Sequence, residues 1–595
     1  DRSNDDGAIR VQKSIGLLQH RGPDESNVLS KGNASLGHAR LSIIDLSGSR
    51  QPMQSPDGRY VLIYNGEIYN FSELKESLEI RWRFSTHGDT VVLLAGLILE
   101  GESFISRLEG MWAFVLWDSL TESLLMSRDR MGKKPLFYTI DAQGISCASE
   151  LPALRVMAYR SWSEDVDSTA DYFRFGYFLP GYTAWKGVLE VLPGHWVRWS
   201  SKNKIEQRSY WQLPCPNDAM GKPNREEFIN VLDAAVRKRL IADVEVGAFL
   251  SGGVDSSLIC ALAQSKMTQR LKTYTIGFAD QAFDERKYAD MMAQYIGTNH
   301  RDKELSEWDE SRLELLLDEH LGQPFADSSL LPTSLVSELA SHDVKVALTG
   351  DGGDELFGGY QRYQARIILR WYTRLPIKLR KYAETALRKL PEPRVHHSRS
   401  LIKKVHLFLD VVARLEDETP YIAPVMFHSN AYAELFPGLV KCGQKPPGLL
   451  EETVQDDLQR MLYADALVYL PQDILVKVDR ASMAHSVETR APLLDHKVVE
   501  MAFSIPADEH CTLGNGKRWL KQVYGDMLPS AIWTRRKQGF AVPIHRWFRE
   551  GLNRKLEQLL NAAPEHVRPS SVRKLLNEHI ICDVGREFCQ QRLFS

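Results

Sequence analysis

The sequence predicts two folds in series: an α+β sandwich of antiparallel sheets with flanking helices, then an α/β domain on a parallel sheet with a helical C-terminal part. Three observations carry this. Short β-type runs fill the first third, separated by turns rich in Gly, Asp, Ser and Pro. After the segment PCPNDAMGKPN (Pro214–Asn224), strands alternate with helices, the pattern of parallel crossovers. The last third is mostly helical in its apolar spacing. At 595 residues the chain is too long for one ordinary domain. The expected division is residues 1–213, a linker at 214–224, and residues 225–595.

In order, strands are expected at Gly37–Asp45, Tyr60–Tyr64, Met111–Asp118, Ser123–Arg128, Pro135–Asp141 and Gly144–Ser149. Helices are expected at Phe71–Leu78 and Thr90–Glu100. Beyond the Pro- and Gly-containing linker, Phe228, Val231, Leu232 and Ala235 share one face of a helix over Glu226–Leu240. A strand at Gly247–Leu250 feeds a glycine turn and a helix from about Ser256. Further strands are expected at Thr273–Phe278 and Val344–Leu348. No internal repeat or low-complexity tract is visible.

Composition excludes several classes. The formal net charge is -3, without the basic excess that nucleic-acid binding requires. The longest apolar run, Val91–Leu99, is too short for a bilayer and reads as a buried helix. The polar opening, Asp1–Arg10, is no signal peptide. Seven cysteines form no CxxC pair, which fits reduced thiols in a cytoplasmic protein rather than a disulfide framework or zinc site. The sequence leaves a homodimer open.

The sharpest local signal is SGGVDSS, Ser251–Ser257, between an apolar strand end and a helix. Its glycines let backbone approach an anion, and the helix N-terminus favours phosphate. The serines add donors, and Asp255 is suited to magnesium. A second loop, GDGGDELFGGY (Gly350–Tyr360), follows the strand ending at Leu348 and sets Asp351, Asp354 and Glu355 among glycines. Carboxylates and glycines at a strand's C-terminal end suit the ligand crevice of an α/β sheet.

These loops resemble the synthetase domain of the asparagine synthetase family, and SGGVDSS is similar to the pyrophosphate loop of ATP pyrophosphatases. KVDRASMAHSVETRAPLLD (Lys477–Asp495) and RRKQGFAVP (Arg535–Pro543) extend the resemblance. In the first third HRGPD (His20–Asp24), GHARLSIID (Gly37–Asp45), YNGEIYN (Tyr64–Asn70), HGDT (His87–Thr90) and RDRMGKKPLFY (Arg128–Tyr138) resemble the class II glutamine amidotransferase domain. The implied fold is an Ntn-hydrolase-like sandwich followed by an adenine nucleotide α-hydrolase-like domain.

The resemblance implies ATP and Mg2+ as cofactors, and glutamine and a carboxylic acid as substrates, aspartate by default. Arg40 would pair with the α-carboxylate of glutamine, and Glu67 and Asp89 with its α-ammonium. Asn65 and Gly66 would form the oxyanion hole. Ser251, Gly252, Gly253, Asp255 and Ser256 would hold pyrophosphate and metal, with Asp354 the second metal-side carboxylate. Phe249, Ile276, Thr349 and Gly350 would line the nucleotide pocket. Lys537 would neutralise phosphate charge, and Asp351 would stand where some relatives have a proton-accepting glutamate. Asp327, Ser328 and Ser329 fall near the expected acceptor site. The family's nucleophile is an N-terminal cysteine, whereas this sequence begins with Asp1 and its first cysteine is Cys147. A short piece ahead of Asp1 would account for this. The alternatives are a relative without glutaminase activity, like the β-lactam synthetases, or one that uses ammonia or amidates another acid, such as a sugar uronate.

Overall fold

The computed structural model describes residues 2–202, 205–215, 223–281, 283–305, 309–372, 374–388, 429–437, 439, 454, 456–535, 542, 547 and 551–581. It opens with helix α1 (Arg2–Gly16) and the hairpin β1 (Glu25–Lys31) and β2 (Ala34–Arg40). Next come β3 (Met53–Gln54), β4 (Tyr60–Ile68), α2 (Phe71–Leu78) and α3 (Asp89–Glu100). Strands β5 (Gly110–Asp118), β6 (Ser123–Arg128), β7 (Phe137–Asp141) and β8 (Gly144–Ala148) precede α4 (Leu151–Met157). After α5 (Val166–Phe175), strands β9 (Val188–Glu190), β10 (His195–Ser200) and β11 (Glu206–Ser209) complete the first part.

One antiparallel sheet runs in the order β11-β10-β6-β5-β4-β3. Two smaller sheets, β1-β2 and β8-β7-β9, lie over it. Strands β4 and β5 send alternate residues to opposite faces. Val61, Ala113, Val115 and Trp117 meet Leu36 and Leu136 in the core between the sheets. Leu62, Tyr64, Trp112, Phe114 and Leu116 pack instead with apolar residues of α2 and α3. Helices α1 and α4 pack together, and α1 also covers β2. The result is the sandwich with flanking helices that the strand pattern predicts.

The expected run Gly37–Asp45 is shorter as a strand, because β2 ends at Arg40. Arg40 bonds the carbonyls of Ile44, Asp45 and Leu46, folding the chain back on itself. Pro135 and Leu136 stay outside β7. Residues 214, 215, 223 and 224 belong to no helix or strand, and the rest of the expected linker lies outside the described residues.

The second part begins with α6 (Arg225–Arg239), capped by Asn224, which buries Phe228, Leu232, Ala235 and Val236. It continues with β12 (Val246–Phe249), α7 (Val254–Gln264), β13 (Lys272–Phe278), α8 (Arg286–Ile296), β14 (Asn299–Leu305), β15 (Val346–Leu348) and β16 (Glu488–Arg490). These strands form one parallel sheet in the order β14-β13-β12-β15-β16. Ala248, Leu250, Leu258, Ile259, Val346 and Leu348 anchor its core against Phe228. Between β15 and β16 the described chain is helical, ending in helix Leu475–Met483. No helix among the described residues is long and apolar enough to cross a membrane.

Buried ion pairs join the two parts. Arg21, just after α1, reaches Asp479 on helix Leu475–Met483 with two hydrogen bonds. Lys134 Nζ stands 3.2 Å from Glu488.

Candidate active site

Two sites emerge, one in each part. In the first, Arg40, Asn65, Gly66, Glu67 and Asp89 line a single cavity of about 550 Å3. Strand β4 supplies three of them, and the start of α3 supplies Asp89. Asp89 Oδ2 accepts from the Tyr64 hydroxyl at 2.8 Å and the Ile68 amide at 3.0 Å. Gly66 has φ 144°, and an added Cβ would lie 2.1 Å from the Met111 carbonyl oxygen. Only glycine lets β4 run this close to β5 while its backbone faces the cavity. Asn65 Nδ2 is buried without an acceptor among the described residues. Glu67 Oε2 is buried without a donor among the described residues. Burial, then the neighbouring Asp89, pushes the Glu67 carboxyl well above the usual range. Burial raises Asp89 as well. A donor at Asn65 and two buried acceptors at Glu67 and Asp89 suit a zwitterionic ligand better than water.

The cavity extends between β2 and β8, along Ser35–Ala39 and Gly144–Ala148, over Ala113, Val115 and Trp117. Strand β2 pairs with β1 and β8 with β7, so the two strands face each other across the cavity. Cys147 lines this space, and burial pushes its thiol up to about 12. A thiol held protonated is a poor nucleophile.

In the second part, β12 leads into Ser251–Gly253 and α7. Ser251 and Ser256 hydroxyls lie 3.0 Å apart across the turn. The Gly253 amide donates to Ser251 Oγ at 3.3 Å. Gly350 and Gly353 press on this turn: a Cβ on Gly350 would lie 2.7 Å from the Ser256 nitrogen, and one on Gly353 would lie 2.3 Å from Asp255 Cγ. The glycines of GDGGDELFGGY thus bring Asp354 beside Asp255. Phe249 ends β12, Ile276 lies in β13, and Thr349 follows β15, so all three flank the C-terminal edge of the parallel sheet. A ligand crevice is expected at this edge. The Thr349 hydroxyl oxygen is buried without a hydrogen bond among the described residues.

Sequence reasoning missed Lys517. Its ammonium stands 2.6 Å from Asp354 and also pairs with Asp255. Lys517 has φ 53°, a left-handed conformation costly for a side chain of this kind. Arg535 was legible only as part of its motif; Nη1 donates to the carbonyls of Ser251 at 3.3 Å and Gly252 at 3.0 Å. Lys537 lies outside the described residues.

Asp327, Ser328 and Ser329 cluster with Lys477. Asp327 Oδ2 lies 2.6 Å from Lys477 Nζ, while its Oδ1 accepts from the Ser329 amide and hydroxyl. Ser328 is buried next to them. Burial opposes the charge of Lys477, but Asp327, then Asp473 and Asp351, outweigh it and raise the ammonium pKa. Asp473, another residue without a sequence signal, is pushed up to about 8 by burial and then by Asp327.

Comparison with known proteins gives these two sites a family. Residues 2–211 match the glutamine amidotransferase domain, and residues 227–593 match asparagine synthase. The chain belongs to the asparagine synthase family. A putative glutamine-hydrolysing asparagine synthetase of Mycobacterium tuberculosis H37Rv is 35% identical over 573 residues, spanning 92% of this chain and 86% of that protein. Asparagine synthetase 1 of Bacillus subtilis is 31% identical, spanning 95% of this chain and 89% of its own. The amidase chyE of Penicillium rubens is 28% identical, spanning 92% of this chain and 87% of its own. Family membership makes the chain an ATP-dependent ligase of the glutamine-dependent amidotransferase type. It also matches the fold expected for each part.

Proposed function

We propose that this asparagine synthase family chain converts aspartate to asparagine, using ATP and an amide nitrogen from glutamine. The observation that carries the reading is the approach of the two glycine loops, which sets Asp255 and Asp354 around one cation, the Lys517 ammonium. The division is residues 1–213 for glutamine and 225–595 for ATP and the acid, joined by 214–224.

In the first site the Arg40 fork binds the α-carboxylate of glutamine, and Glu67 and Asp89 take its α-ammonium. Asn65 Nδ2 and the Gly66 amide are the donors for an oxyanion at the amide carbon. Hydrolysis by the family mechanism needs a cysteine with a free α-amine at this corner. The cavity that holds Asn65 and Gly66 continues between β2 and β8.

In the second site Ser251, Gly252, Gly253 and Ser256 cradle the leaving pyrophosphate, while Phe249, Ile276, Thr349 and Gly350 line the nucleotide pocket. Two carboxylates already gathered around one cation are suited to Mg2+, a hard ion that takes oxygen ligands. Bound there, Mg2+ would screen the phosphate charge. Lys537 adds a second cation. The acid's carboxylate attacks the α-phosphorus, giving an acyl-adenylate and pyrophosphate. Ammonia then displaces AMP, with Asp351 accepting the proton. Lys477, held by Asp327, presents a cation to an acidic acceptor, and this supports aspartate.

ATP–pyrophosphate exchange with a panel of acids tests the reading. Exchange with aspartate is expected. Exchange with another acid alone would replace aspartate, and no exchange with any acid would remove the activity. Comparing glutamine with ammonia as donor, together with the mass and N-terminal sequence of the native protein, tests glutamine dependence.

A further inference from the structure

Arg490 touches both halves of the molecule. It ends β16 and is 0% exposed. Its Nη2 points across the boundary to Glu67 Oε1 at 3.3 Å. Its Nε lies 2.9 Å from Glu488 Oε1, and its Nη1 donates to the carbonyls of Arg239 at 3.1 Å and Ile241 at 2.7 Å. The guanidinium is therefore fixed on every side except the one facing Glu67. Glu488, its neighbour on β16, itself lines the first cavity.

The backbone of Arg490 faces the other site. Leu348 of β15 is its register partner, and its carbonyl accepts the Thr349 amide at 2.9 Å. Gly350 comes next and packs against Asp255 and Ser256. One residue thus holds a glutamine-side carboxylate with its side chain and the start of the ATP loop with its backbone.

We propose that Arg490 is a positioning residue that couples occupancy of the glutamine cavity to the affinity of the ATP site. The inference rests on the reading of Glu67 as a ligand for the α-ammonium. Glu67 is buried with Asp89 and Glu488 nearby, and burial, then Asp89, favour its neutral form against the pull of Arg490 and Lys134. An incoming ammonium fixes the carboxylate in its charged form. The charge draws the Arg490 guanidinium, whose other contacts transmit the pull to β16 and so to the Thr349 amide. Such coupling is reciprocal: ATP must tighten glutamine by the factor by which glutamine tightens ATP.

The experiment is calorimetry on the full chain with a non-hydrolysable Mg2+–ATP analogue, with and without saturating glutamine. The expected result is a change in nucleotide Kd of about fivefold or more, equal in the reverse titration. Arg490→Lys keeps the charge but cannot hold Glu67, Glu488 and two carbonyls together. It should bind both ligands with a coupling factor of one. Glutamine binding with no coupling in the wild type, or undiminished coupling in Arg490→Lys, would overturn the inference alone. No glutamine binding at all would overturn the glutamine reading and this inference with it. In case Arg490→Lys does not fold, hydrogen exchange of the Thr349 and Gly350 amides is read in the wild type. Slower exchange on adding glutamine is expected, and an unchanged rate would refute the coupling.

Discussion

The Lys517 ammonium lies 2.6 Å from Asp354 and is paired at the same time with Asp255, so one buried cation is shared by carboxylates of both glycine loops. Removing it leaves two negative charges close together in a poorly solvated place. Breaking a buried pair by deleting one partner costs about 3–5 kcal/mol. Lys517→Met should therefore unfold at lower denaturant without ligand. Millimolar Mg2+ should recover part of the loss, and stabilise the variant more than the wild type. Equal Mg2+ stabilisation of both proteins would separate Asp255 and Asp354 from metal binding.

Asp255→Asn gives the complementary result. Lys517 keeps Asp354 as a partner, so the fold should survive with nearly unchanged thermal unfolding. ATP–pyrophosphate exchange should fall below detection. Retained exchange would mean that SGGVDSS is not the pyrophosphate loop.

Arg40 makes a sharper test of the first cavity than either carboxylate. Three of its hydrogen bonds go to the carbonyls of Ile44, Asp45 and Leu46, which fixes the guanidinium plane before any ligand arrives. Lysine keeps the charge but loses this fixed fork. Arg40→Lys should weaken glutamine binding about tenfold or more, since a hydrogen bond to a charged group contributes about 1.5–3 kcal/mol. Titration calorimetry reads this directly. An unchanged affinity would place the α-carboxylate elsewhere.

The strand–turn–helix at Ser251–Ser257 was legible because its causes are local: a glycine turn, an apolar strand end and a helix start within a few residues. Long β runs such as Met111–Asp118 were legible for the same reason. Helix α1 was not. Among its residues Val11, Ser14 and Ile15 are buried, while Ile9 is 54% exposed, so its apolar spacing is too thin to read before β2 and α4 are in place. Lys517 sits 262 positions from Asp255, and its role exists only once the helical region folds back on the sheet. Arg490 stood inside a recognised motif, yet its contact with Glu67 arises from packing between the two parts. Local physics thus exposed the loops, while the charges that neutralise and connect them depend on long-range assembly.

Asp473 gives a pH dependence with a definite sign. Burial, then Asp327, pushes its carboxyl up to about 8, while Lys477 pulls the other way. A carboxyl in an unfolded chain titrates near about 3.9. Between those values the folded state keeps a proton that the unfolded state has lost. The contribution of Asp473 to stability must then fall as pH rises from about 4 toward 8, and level off once both states are ionised. Asp473→Asn removes this proton linkage while keeping the volume. Denaturant midpoints at pH 5 and pH 8 measure the effect: the stability of Asp473→Asn relative to the wild type should be higher at pH 8 than at pH 5. If the two proteins show the same change with pH, Asp473 is ionised in the folded protein and the protonated carboxyl beside Asp327 and Lys477 does not exist.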